Sequence, residues 1–281
     1  MSDQSSFVAE EGEFLATGWE RDAPADTLLR AYTDGFADMC AHLATGAGGR
    51  VERTEHMVLA DAGSPAAYLN GAVITAPLAD ANIDGAIQVA QRFFTAGSGG
   101  PWLLLAPTPI RDLRHLGLAP VGHPPFMVRG VGGERREPPG DLEVIEVTEP
   151  DDVLRFERAC IDFYPMPELA DRPAGTVFPI DAVLDSDEYR WLLGLVDGEP
   201  VGTAMAHASP GAVHVEWITS DPERRSRGYG EAMTWAATLA WPDRPATLIS
   251  SDAGRPTYER MGYLAVNRVT LWAGTREQAP A

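Results

Sequence analysis

The sequence predicts a mixed α/β protein of two halves, each a largely antiparallel sheet flanked by helices. Three observations lead there. Apolar runs of strand length alternate with stretches of helical periodicity along the chain. The order of these elements is similar in the two halves, and "HLGLAPVG" in the first is echoed by "RMGYLAVN" in the second. Between them "GVGGERREPPG", Gly130 to Gly140, combines glycine, proline and charge without periodicity and reads as a linker. The expected division is residues 1–135 and 136–281.

In the first half, "LLRAYTDGFADMCAHL" reads as a helix, then "HMVLADA" and "AAYLNGAVITA" as strands. "IDGAIQVAQRFFTA" is a helix, "PWLLLAP" a strand, "IRDLRHL" a short helix and "PPFMVRG" the closing strand. The second half opens with the strand "LEVIEV". The helix "EPDDVLRFERACIDFY" follows, with Val153, Phe156, Cys160 and Phe163 on one face. A proline-rich loop runs from Pro165 to about Pro179. Asp197-Gly198 and Pro210-Gly211 then punctuate three antiparallel strands ending at "HVEWITS". "GEAMTWAATLAW" is helical and is stopped by Pro242. "ATLIS" is a strand, "RPTYERM" a short helix closed by Gly262, and "YLAVNRVTLWA" a final strand. The first dozen residues and "TREQAPA" are expected to be disordered tails.

Composition narrows the function classes. A formal net charge of −19 is unsuited to phosphate backbones, so nucleic acid is not an expected partner, and the charge favours cationic or amine-bearing molecules. No run approaches the roughly 18 to 20 apolar residues of a membrane span. The polar, acidic start "MSDQSSFVAEEGEF" lacks the pattern of a secretion signal, so a cytoplasmic protein is expected. Cys40 and Cys160 have no metal-ligand spacing and read as small buried hydrophobes. Trp217, Trp235 and Phe163 sit at ordinary strand and helix spacings, which suits core packing.

One stretch departs from scaffold. "DPERRSRGYGEAM", Asp221 to Met233, crowds three arginines into a glycine-rich turn between a strand and a helix. The first N–H groups of a helix lack internal partners and the helix dipole favours negative charge, so such a turn is suited to an anion. Gly228 and Gly230 let the backbone approach it, and Arg225 and Arg227 can add charge-assisted hydrogen bonds. No Gly-Lys-Ser/Thr follows, so this is not a nucleotide P-loop. A dinucleotide fingerprint is excluded by the missing third glycine and the antiparallel strands around it. The first half has only "PLADAN" at the corresponding place, with no basic residue and no glycine turn.

The strand "HVEWITS", the turn Arg225-Ser226-Arg227-Gly228-Tyr229-Gly230 and the helix after it resemble the acyl-CoA motif of the GNAT superfamily of N-acetyltransferases. The helix "YERMGY" resembles that family's downstream tyrosine signature. The resemblance covers about Leu142 to Gly274, and the first half then reads as a degenerate copy, giving a tandem GNAT-like fold. It implies acetyl-CoA as co-substrate, with its pyrophosphate on the backbone of Arg225 to Gly230. Pantetheine would pair with Ile218, Thr219 and Ser220, and Glu231, Ser251 and Arg255 would complete the cofactor contacts. It further implies Tyr258 as the acid that protonates the leaving thiolate. Glu216 or His214, two apart on one strand and so on one face if no bulge intervenes, would be the base for a small amine acceptor, unless, as in some relatives, no dedicated base is used. "SSDAG" stands where many members have an asparagine, so Ser251 or Asp252 would substitute for it. A non-catalytic acyl-CoA-binding regulatory module is the alternative reading.

Overall fold

The computed structural model describes residues 27–133, 135–164 and 166–274; the expected tails lie outside the described residues. The chain opens with α1 (Leu28–Gly46), capped by Thr27, whose hydroxyl accepts from the Arg30 N–H at 3.1 Å. Next come β1 (Arg50–Arg53), β2 (Met57–Asp61), β3 (Asn70–Ile74), α2 (Asp80–Ala96), β4 (Trp102–Ala106), β5 (Leu118–Gly122) and β6 (Pro125–Arg129). The remainder is β7 (Glu143–Glu146), α3 (Pro150–Phe163), α4 (Ile180–Leu184), β8 (Tyr189–Val196), β9 (Glu199–Ser209) and β10 (Ala212–Ser220). It ends with α5 (Tyr229–Thr238), β11 (Ala246–Ile249), α6 (Arg255–Arg260), β12 (Leu264–Arg268) and β13 (Thr270–Gly274).

Two sheets result, in the orders β1-β2-β3-β4-β13-β5 and β12-β6-β11-β10-β9-β8-β7. Both are mainly antiparallel. Each contains one parallel pair across a helix, β3 with β4 around α2 and β10 with β11 around α5. This is the tandem arrangement that the repeated element order implies.

The expected boundary between residues 135 and 136 does not separate the sheets. β6, before it, lies between β11 and β12 of the second sheet, while β13, near the end of the chain, lies between β4 and β5 of the first. "YLAVNRVTLWA", expected as one strand, is therefore two strands in different sheets. They part at Val269, whose N–H donates to the Pro124 carbonyl at 3.1 Å. The short helix expected at "IRDLRHL" is only a 3₁₀ turn over Arg114–Leu116. β1 and β5 have no counterpart in the pattern reading. The four residues of β1 are all exposed, so no apolar alternation marks them, and β5 carries Pro120 and Gly122, which read as loop.

α1 joins the two sheets. It packs on β1, β2 and β3 of the first and on β9 and β10 of the second. Residues around most of its circumference are buried, including Tyr32, Ala37, Cys40 and Leu43, as expected for a helix enclosed on both sides. At Gly35 a side-chain Cβ would overlap the His214 ring, so glycine there permits the close approach of α1 to β10. One apolar core holds α1 residues together with Val73, Leu105 and Phe126, and with Phe156, Trp191 and Met205 of the second half. The halves thus share a core as well as strands. Cys40 and Cys160 lie in it as free, buried thiols, and burial pushes each up to about 12.

Candidate functional site

The site begins with a failure of pairing. β10 runs to Ser220, but its register with β11 stops at Val213↔Ala246 and His214↔Thr247. Beyond that point the two strands diverge. On its other edge β10 carries a β-bulge. Its ladder with β9 jumps from Glu216↔Met205 to Thr219↔Thr203, leaving Trp217 and Ile218 out of register. Trp217 has φ 51°, a backbone region that costs a bulky side chain of the order of 1 kcal/mol or more. Thr203 holds the distortion in place. Its hydroxyl donates to the Trp217 carbonyl at 2.8 Å and lies 2.7 Å from Thr219 Oγ1.

A cleft of about 890 Å³ is lined by the diverging segment and leads to the arginine turn. Ile218, Thr219 and Ser220 line it from β10, and Arg225, Ser226, Arg227, Gly228, Gly230 and Glu231 from the turn and the start of α5. Ser251 and Tyr258 line it from the β11–α6 side. Gly228 has φ 88°, which L side chains rarely adopt, and forms the N-cap of α5. The first bond of the helix is Ala232 N–H to the Gly228 carbonyl at 3.0 Å. The N–H groups of Tyr229, Gly230 and Glu231 therefore precede the helical ladder. Arg224 is tied to Asp221 at 3.4 Å, whereas Arg225 and Arg227 are exposed and make no ion pair among the described residues. Two free guanidiniums, a glycine cap and a row of orphan donors fit a pyrophosphate.

Some expected contacts are not brought together. The Tyr229 side chain is buried against Val196, Val201 and Leu142, and its hydroxyl donates to Asp141 at 2.7 Å; only its backbone belongs to the turn. Arg255 does not line the cleft and pairs with Glu259 at 2.6 Å. His214 shares a face of β10 with Glu216 but is sealed in the core. Its Nδ1 lies 2.7 Å from Thr247 Oγ1 and its Nε2 2.7 Å from Ser209 Oγ. Burial pushes the imidazole down to about 3, and with both nitrogens engaged His214 has no lone pair to offer a substrate.

Glu216 is placed differently. It sits on the diverging segment, two residues past the last β11 partner, and burial pushes its carboxyl up to about 7. Its Oε1 accepts from the Tyr32 hydroxyl at 2.6 Å. Tyr258 on α6 is half-buried and close enough for the Glu216 charge to raise its phenol further, after burial as the main cause, to about 12. It is thus a neutral proton donor, and its hydroxyl makes no hydrogen bond among the described residues.

Sequence patterns missed several wall residues. Arg136, Glu137, Pro138 and Pro139 of the linker close one side of the cleft, and Arg136 lies 3.9 Å from Glu231 across it. The basic doublet beside a double proline was the available signal. Trp235 packs in the core and also lines the cleft, and Tyr164, Thr257 and Arg260 complete it.

Comparison with known proteins bears on the family and the fold. Residues 154–263 match a family model described as the acetyltransferase (GNAT) family. A GCN5-related N-acetyltransferase from Kribbella flavida is similar in structure at 17% identity and TM-score 0.60, over 86% of this chain and 96% of that one. A functionally unknown conserved protein from Staphylococcus epidermidis aligns at 16% identity and TM-score 0.59, over 82% and 95%. A GCN5-related N-acetyltransferase from Sphaerobacter thermophilus gives 14% and 0.53, over 87% and 93%. At such identities the likeness speaks for the fold. No curated protein sequence matches. The diverging strands and the arginine turn thus fall within residues 154–263, which match the GNAT acetyltransferase family model, and the chain as a whole has a tandem GNAT-like fold.

Proposed function

We propose that the protein is an acetyl-CoA-dependent N-acetyltransferase acting on a small amine. The observation that carries this reading is the divergence of β10 from β11 into a cleft that ends at the arginine turn. Acetyl-CoA supplies the activated acetyl group. The N–H groups at the start of α5, with Arg225 and Arg227, hold its pyrophosphate. Ile218, Thr219 and Ser220 offer main-chain groups along the cleft, and Ser226, Gly228, Gly230, Glu231 and Ser251 form its walls. The Ile218 N–H, freed from the β9 ladder by the bulge, is the donor for the acetyl oxygen as it becomes negative. Tyr258 gives a proton to the departing sulfur, and Glu216, ionised, takes one from the attacking amine, directly or through a water. Only the ionised carboxylate can act as base, so the rate should fall as pH drops below about 7.

The acceptor is an amine rather than a nucleic acid, in keeping with the charge of −19. No described helix is long and apolar enough to cross a membrane, and the reading places the enzyme in the cytoplasm. Among the described residues of the first half, no strand pair opens as β10 and β11 do, so one cofactor site per chain is expected. β3 stays paired with β4 through Val73↔Leu105 and ends one residue later, so the seam that opens in the second sheet is closed in the first. Asp80 stands in the first turn of α2, where a phosphate would need donors.

Calorimetric titration with acetyl-CoA, and thiol release with a panel of amino acids, polyamines, aminoglycosides and N-terminal peptides, test the reading. The chain contains no lysine, so lysine self-acetylation does not confound thiol release. One site per chain and amine-dependent release are expected. Absence of binding at millimolar acetyl-CoA would sink the assignment.

A further inference from the structure

We propose that Tyr32, a residue of the first half, is a positioning residue for the Glu216 carboxylate, so that the acetyl-transfer centre is completed across the two halves. The inference rests on Glu216 as the base of the proposed reaction. Tyr32 lies on α1, 184 positions from Glu216, and is fully buried. Its ring is held from three directions: by Phe36 at 5.9 Å on the same helix, by Phe126 of the exchanged strand β6 at 5.2 Å, and by the edge of His214 at 5.6 Å. A ring so confined cannot swing its hydroxyl elsewhere, and a buried hydroxyl without a partner costs free energy. The oxygen therefore has one use, the 2.6 Å donation to Glu216 Oε1. That bond fixes one carboxylate oxygen and leaves Oε2 for the water or amine.

The neighbours of Glu216 make this bond matter. The titratable groups that face it are Tyr32 and Cys40 from α1 and Tyr258 from α6. His214 precedes it on the same face of β10, with His207 of β9 beyond at 5.6 Å. All are uncharged at neutral pH, and no arginine pairs with Glu216 among the described residues. Burial favours the protonated carboxyl, and the Tyr32 hydrogen bond favours the ionised form. Loss of the hydroxyl should raise the carboxyl's midpoint and shrink the fraction of active base at neutral pH.

Tyr32 also stands in the shared core, so a purely structural role is the competing account. Tyr32→Phe separates the two, because phenylalanine keeps the ring packing and removes only the donor. The readout is the side-chain carboxyl ¹³C shift of Glu216 against pH in the full-length protein, assigned by its loss in Glu216→Gln. Thiol release from acetyl-CoA with the amine of the panel that gives the fastest release is followed in parallel. The expected result is a midpoint in Tyr32→Phe higher by about half a pH unit or more, with the acid limb of thiol release moving by the same amount. An unchanged midpoint in a folded Tyr32→Phe overturns the proposal while leaving Glu216 free to be the base. A shifted midpoint with an acid limb that survives in Glu216→Gln instead overturns Glu216 as base, and with it any catalytic part for Tyr32.

Discussion

Around β10, one titratable side chain, Tyr258, is left at the cleft while two histidines, His207 and His214, are sealed in the core. Tyr258 lines the cleft, remains protonated up to about pH 12 and makes no competing hydrogen bond among the described residues. Tyr258→Phe should lower kcat by about 10²-fold, the usual scale for losing a positioned proton donor, with acetyl-CoA affinity unchanged by calorimetry. His207 has the opposite fate. It is stacked on Tyr189 at 4.3 Å, and burial pushes it down to about 4. A folded-state value below the unfolded 6.5 means that stability is present above pH 6.5 and is lost as pH falls through about 4. His207→Phe keeps a ring in the stack and removes the titration. Its urea midpoint relative to the parent should therefore rise between pH 6.5 and 4, by the equivalent of roughly 2 to 3 kcal/mol. A difference independent of pH would show that His207 is not held neutral by the fold. Sequence could place His214 beside Glu216, but that His214 is the one sealed off depends on Ser209, Thr247 and α1, and no spacing rule reports that.

At the scale of elements, the proposed cofactor site is a junction of one unpaired strand end and one helix start. Its backbone visits positive φ at Trp217, Ser226 and Gly228, and Gly228 is the one that caps the helix. Gly228→Val meets open space except for Pro139 Cγ, 3.5 Å from the new Cβ, so steric overlap is not the main penalty. The penalty is the φ of 88°, worth about 1 to 2 kcal/mol for a residue with a Cβ. The chain should relieve it by turning the first N–H groups of α5 away from the cleft. Gly228→Val is therefore expected to fold with a slightly lower Tm and to lose most of the melting-temperature increase that acetyl-CoA gives the parent. Retained stabilisation by acetyl-CoA would remove the glycine cap from the binding site. The turn was legible because glycine spacing and clustered arginine are local signals. The bulge was not, because Thr203, which locks it, belongs to the neighbouring strand and looks like any strand threonine.

For the whole molecule, the exchange of β6 and β13 decides how the halves depend on each other. A fragment of residues 136–281 would leave β11 and β12 without the strand between them, and would leave β13 with no sheet to join. It would also expose the core face that α1 covers, Trp191, Leu193 and Met205 among it. Such a fragment should be insoluble or unfolded when expressed alone, with no amide dispersion by NMR. Co-expression with residues 1–135 should restore a soluble complex. A monomeric, active 136–281 fragment would mean that the exchange is dispensable.

The sequence by itself determined most of the element types, their repeated order, the arginine turn and the family signature. Each of these rests on short-range patterns: periodicity, caps, and glycine and proline placement. Only the tertiary structure decided which sheet each closing strand joins. β6 and β13 are short apolar strands of similar pattern, and either sheet could satisfy their hydrogen bonds; the choice follows from α1 and the shared core holding the two sheets side by side. The same packing decided that Glu216 is partnered by Tyr32 and that His214 is sealed away. Burial and hydrogen-bond partners at such sequence separations are properties of the assembled core, where the low dielectric that moves these pKa values first comes into being.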